Sequence, residues 1–142
     1  MGPILRKLDR WRYHRNIDRA VALHFRGGVT NDGLHLIEVS NHLEIKWRAR
    51  DVHPWDADIP RESRDRRFRE QLLEDTEAAI FRLFKRLPQI DQIDLGVLHP
   101  ASDTVILAGV VERSALDTVR DLVSVRMRLH QLGVSIVASL GI

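Results

Sequence analysis

Between Phe68 and Leu87 the apolar residues Phe68, Leu72, Leu73, Ile80, Leu83, Phe84 and Leu87 recur mostly in three- and four-residue steps. That spacing predicts a helix with one buried face. Glu70, Glu74, Asp75 and Glu77 come early, and Arg82, Lys85 and Arg86 come late, an order that suits the helix dipole. Pro88 ends the helix, because the residue before a proline resists helical geometry. Ile93, Leu95 and Val97 then alternate with Asp94 and Gly96 as a strand does. His99 to Asp103 supplies a turn, and Thr104 to Val111 is an almost unbroken apolar run suited to a strand covered on both faces. Gly109 inside that run marks a bulge or a close packing contact. Ser114 and Asp117 resemble a capping box opening a second helix, with Leu116, Val119, Leu122, Val123, Met127 and Leu132 on its buried side. Gly133 sits where a helix-ending glycine belongs, and Val134 to Val137 reads as the last strand.

The front half has its own pattern. Asn31-Asp32-Gly33 signals a turn, Leu34 to Val39 a strand, and Ser40-Asn41-His42 a second turn. Leu43, Ile45, Trp47 and Ala49 then point one way while Glu44, Lys46, Arg48 and Arg50 point the other, which describes a β-hairpin with one buried and one charged face. Further upstream, Ile4, Leu8 and Trp11 share a helical face among Arg6, Lys7, Arg10 and Arg12, and a second helix runs from Asn16 to about Phe25. With Leu43–Arg50 as the first core strand, the elements follow a β-α-β-β-α-β order. The expected fold is therefore α+β: one domain over 1–142, with a ferredoxin-like sheet-and-helix core in 31–142. Two N-terminal helices in a basic segment (1–30) and an extra hairpin strand precede that core. The Val105 to Val137 part is also similar to the BON domain in its Gly109-Val110-Val111 strand, helix and closing strand, although it lacks the recurrent Gly-Val ending beyond Gly133-Val134.

Composition narrows the chemistry without naming it. With 142 residues, 44% hydrophobic and 30% charged, the chain has the balance of an ordinary globular domain. It has no cysteine, which excludes disulfides, thiolate metal sites and thiol nucleophiles and fits a cytoplasmic location. No apolar run is long enough for a membrane span or a signal core. The net charge of +2 hides an asymmetry: residues 1–30 carry 7 basic against 2 acidic side chains, leaving a deficit of 3 for the rest. Arg61, Arg64, Arg66, Arg67 and Arg69 form a second basic cluster. Guanidinium groups suit phosphate and carboxylate recognition, so Arg6, Arg10, Trp11, Arg12, Arg15, Arg48 and Arg50 are candidate nucleic-acid or partner contacts. Trp47 is the lone strand aromatic, which does not favour base stacking on a sheet.

Two groups of residues suggest catalysis. Asp32, followed by Glu44-Ile45-Lys46, resembles the PD-(D/E)xK nuclease pattern of an acid, a strand, then acid-x-Lys on the next strand. The resemblance implies carboxylates holding a divalent cation and a lysine assisting the attacking water. The proline before the first acid is missing. A hairpin turning near Asn41 would also pair Asp32 close to Arg50 or Asp51, about 15 Å from Glu44 at roughly 3.3 Å per residue. A solvated strand face explains the same residues. The second group is Asp51, His53 and Asp56, with Asp58 beyond, a density of oxygen and imidazole ligands that can take Mg²⁺, Mn²⁺ or Zn²⁺ but matches no specific metal motif. The competing reading makes Trp55 a core edge and Asp56 or Asp58 the cap of a helix beginning near Pro60. No catalytic set is complete. The sequence thus points first to a small non-enzymatic binding or regulatory module without a cofactor, acting through self-association or a protein partner. A metal-dependent phosphodiesterase and a nucleic-acid binder are the alternatives.

Overall fold

The computed structural model of the chain describes residues 30–31, 34–52 and 58–137. Among the described residues six strands form one mixed sheet, ordered in space as in sequence: β1 (Thr30–Asn31), β2 (Leu34–Val39), β3 (His42–Arg48), β4 (Gln92–Leu98), β5 (Val105–Glu112) and β6 (Val134–Ile136). β3 and β4 are parallel and every other neighbouring pair is antiparallel. Parallel neighbours need a crossover, and α1 (Arg61–Arg86) supplies it.

Helix α1 buries Phe68, Leu72, Asp75, Thr76, Ala79, Ile80, Leu83 and Phe84, a stripe of three- and four-residue steps. That stripe packs with Leu43, Ile45 and Trp47 of β3, Ile93, Leu95 and Val97 of β4, and Leu107 and Val111 of β5. Arg113 closes the far end of α1: its guanidinium donates to the carbonyls of Phe84, Leu87 and Ile90 and stacks 4.8 Å from the centre of the Phe84 ring. The Phe84 carbonyl has no helical partner because Pro88 lacks an N–H, whereas the Leu87 carbonyl also accepts from the Ile90 N–H at 3.1 Å.

The ferredoxin-like expectation is overturned. In that arrangement the first core strand is flanked by the third and fourth core strands, so the two parallel strands are split. Here β3 has β2 on one side, fixed by the two-residue Ser40-Asn41 turn, and β4 directly on the other. No place remains beside β3 for the closing strand, which adds instead to the outer edge of β5. The described order is β-β-β-α-β-β-α-β with a short 3₁₀ helix before the last α-helix. The two expected N-terminal helices lie outside the described residues.

The second predicted helix is also corrected. Residues 113–119 form the 3₁₀ helix with no side-chain cap, the chain turns, and α2 (Val125–Leu132) starts afresh at Ser124. Ser124 accepts a hydrogen bond from the Met127 N–H at 3.1 Å, so it is the true N-cap. The restart shifts the helical phase. Leu129 and Leu132 are buried, while Val123 is 92% exposed and Met127 55% exposed. Gly133 ends α2 with φ 95°, as expected for a left-handed cap. The close packing anticipated at Gly109 is present: a Cβ there would lie 2.4 Å from the Gly133 carbonyl oxygen.

Candidate functional site

Two surfaces carry polar chemistry. The first is the sheet face opposite the helices. Glu44 and Lys46 project there from β3, both exposed, as the strand alternation requires. In the β3–β4 register Glu44 lies beside Asp94 and Lys46 beside Gly96. The stem of Lys46 passes over that glycine, its Cγ 3.4 Å from where a Cβ would stand. Asp32, the first acid of the nuclease pattern, lies outside the described residues; the β2–β3 pairing reaches back to His35, opposite Lys46. Of the loop group, His53 and Asp56 are outside the described residues. Asp51 is exposed and accepts from the Val52 N–H at 2.8 Å. Among the described residues no three His, Asp or Glu side chains converge on a metal position.

The candidate arginines divide by what they touch. Arg48 donates to the carbonyls of His99 (2.9 Å) and Ser102 (2.6 Å) and to Asp103 (2.6 Å), so it clamps the β4–β5 loop. Arg50, two residues past the end of β3, donates through Nε to Asp75 of α1 at 2.6 Å in a largely buried pair. Both guanidiniums are committed to the fold. Arg6, Arg10, Trp11, Arg12 and Arg15 lie outside the described residues.

The second surface is a groove where α2 meets α1. Arg128 fixes the two helices together: Nε and Nη2 donate to the Glu77 carboxylate at 2.6 and 3.0 Å, and Nη1 donates to the carbonyls of Leu122 and Val123. The hydrogen bond to Glu77 raises the Arg128 pKa above its ordinary value, with the Glu77 charge adding to the effect against desolvation. Beside this joint lie two adjoining cavities of about 410 and 350 Å³, which share Arg69, Leu73 and Arg126 as lining. The larger is floored by Leu73 and Leu129, bounded by Met127 and His130, and open along Val134, Ser135 and Ile136 of β6. The smaller extends along Arg66, Glu70 and Glu74 to Ser124 at the start of α2. Arg66, Arg69 and Arg126 are exposed, and among the described residues none of the three has a hydrogen-bond or ion-pair partner. The groove therefore presents uncommitted guanidiniums around an apolar floor.

Arg66 and Arg69 belong to a visible sequence cluster, but Arg126 does not. It reaches the groove because α2 restarts at Ser124, and the one available signal was Ser124 itself as a cap. No protein-family model matches the chain, and no curated protein or solved structure is significantly similar to it. Neither the nuclease nor the BON resemblance gains support from these comparisons. Among the described residues no helix is long and apolar enough to cross a membrane.

Proposed function

We propose that this protein is a non-enzymatic binding module that engages a partner protein in the groove between α1, α2 and the β6 edge. One observation carries the reading: among the described residues Arg66, Arg69 and Arg126 have no partner and surround that groove, whereas Arg48, Arg50, Arg113 and Arg128 are all tied into internal bonds. Arginines beside apolar pockets that lose water when a partner docks are the anchors on which protein interfaces concentrate their energy. The apolar floor of Leu73 and Leu129 beside these arginines suits the side chains of a protein segment rather than a sugar-phosphate backbone.

A second reading keeps the phosphodiesterase alternative, because Glu44, Asp94 and Lys46 are exposed neighbours on the sheet face opposite α1. Two carboxylates and a lysine supply part of a metal-assisted hydrolase. The two readings separate cleanly by experiment. Peptide display against the wild-type chain, with counter-selection on the Arg69→Glu/Arg126→Glu variant, should enrich sequences that bind only the wild type. In parallel, labelled RNA and DNA are incubated with Mg²⁺ or Mn²⁺ and run on a gel. Groove-dependent peptides without cleavage support the module. Cleavage abolished by Lys46→Ala, with no groove-dependent peptide, overturns it in favour of the hydrolase.

A further inference from the structure

The groove runs along a free sheet edge. β6 is the last strand of the sheet, and among the described residues nothing pairs with its outer side. Val137 donates its N–H to the Ile106 carbonyl at 3.0 Å, which makes 137 and 106 a hydrogen-bonded pair of the antiparallel ladder. Hydrogen-bonded and non-bonded pairs alternate along such a ladder. Ser135 therefore also directs its backbone groups toward β5, and Ile136 directs its N–H and C=O away from the sheet. The side chains of Val134 and Ile136 lie on the helix-covered face, opposite Gly109 and Leu107. A strand added outside β6 would place every second side chain over the same groove, next to Arg69 and Arg126.

Resting on the groove as the binding surface, we infer that its occupant is an extended acidic segment of a partner protein that adds to β6 as a further strand. Backbone hydrogen bonds to Ile136 supply the attachment, and alternate side chains supply the specificity. Those facing the groove are an apolar residue over Leu73 and Leu129, flanked by carboxylates that meet Arg69 and Arg126. Carboxylates match guanidinium geometry with two parallel hydrogen bonds, and Arg69 on α1 and Arg126 on α2, both without partners among the described residues, supply the positions. A second copy of this chain pairing edge to edge would bring two sets of these arginines together. The charge therefore favours an acidic partner over self-association.

The test is fluorescence anisotropy with a labelled, capped peptide whose every second residue reads Glu-Val-Glu with Thr between them, so that one strand face carries the apolar residue flanked by carboxylates, titrated with the full chain at low and moderate salt. Binding is expected, weakening with salt and falling by at least about tenfold in the Arg69→Glu/Arg126→Glu variant, since two charge-assisted contacts are lost. A Lys-for-Glu peptide should fail on the wild type and gain affinity for the charge-reversed variant. Methylating the backbone nitrogens that would face β6 should abolish binding, which separates strand addition from simple charge attraction. If display yields groove-dependent peptides that are neutral or helical, strand addition is overturned and the groove reading stands. If no peptide depends on the groove, both fall. A concentration-dependent dimer that blocks peptide binding would assign the edge to a second copy and overturn the inference.

Discussion

Replacing Gly109 with alanine tests how the fold builds the groove. A Cβ at that position would stand 2.4 Å from the Gly133 oxygen, 2.7 Å from the Val134 Cα and 3.0 Å from the Gly133 carbonyl carbon. Real Cβ contacts do not fall below 3.0 Å, so the opposing chain must move by at least 0.6 Å. The obstacle is backbone, so no side-chain rotation relieves it. Overpacking of this kind costs about 1–3 kcal/mol, and the lower chain entropy of alanine returns about 0.4–1 kcal/mol. A net loss of about 1–2 kcal/mol is expected, with the damage concentrated at the start of β6. Urea denaturation gives the stability change, and amide hydrogen exchange locates it: Val137, which pairs with Ile106, should lose protection while Ile45 on β3, two strands from Gly109, should not. A Gly109→Ala variant as stable as the wild type, with Val137 still protected, would refute the reasoning.

Three further substitutions probe what holds the groove-bearing helices in place. Arg113→Met removes the donors to the Phe84, Leu87 and Ile90 carbonyls and should lower stability by about 3 kcal/mol in urea titration, since charged hydrogen bonds onto half-buried carbonyls are lost together. Arg50→Met leaves the Asp75 carboxylate, 5% exposed, buried without its cation, and a loss of about 3–5 kcal/mol is expected by thermal or urea unfolding. Ser124→Ala deletes the cap on α2 and should cost about 1 kcal/mol, with faster amide exchange at Met127.

Much of the sheet was legible because its strands are simple. Leu43, Ile45 and Trp47 alternate with Glu44 and Lys46, and the buried and exposed positions fall as that period requires. The same holds for α1, whose stripe and proline stop are local features. What was not legible depended on pairing between distant segments. The position of β6 follows from β2 already occupying the far side of β3, a fact of hairpin geometry that no single window carries. The second helix departs from its sequence pattern because Ser114 and Ser124 both offer a cap, and apolar residues at Val123 and Met127 fit a continuous period that the chain does not follow. The charged strand arginines were misleading for a related reason. Arg48 and Arg50 carry the residue type of a binding site, but the carboxylate and carbonyl partners that consume them come from the β4–β5 loop and α1. The groove stayed hidden until Arg126 was placed beside Arg69 by the contact of α2 with α1.

The account stands most directly on where a bound peptide sits. The deciding measurement is an NMR titration of the ¹⁵N- and methyl-labelled chain with an acidic peptide recovered by the display. The account predicts shifts at Leu73, Met127 and Leu129 and new exchange protection of the Ile136 amide, with Glu44, Lys46 and Asp94 unmoved. Shifts gathered at Glu44, Lys46 and Asp94 instead, with Leu73 and Ile136 silent, would contradict it and place the functional surface on the sheet face opposite α1.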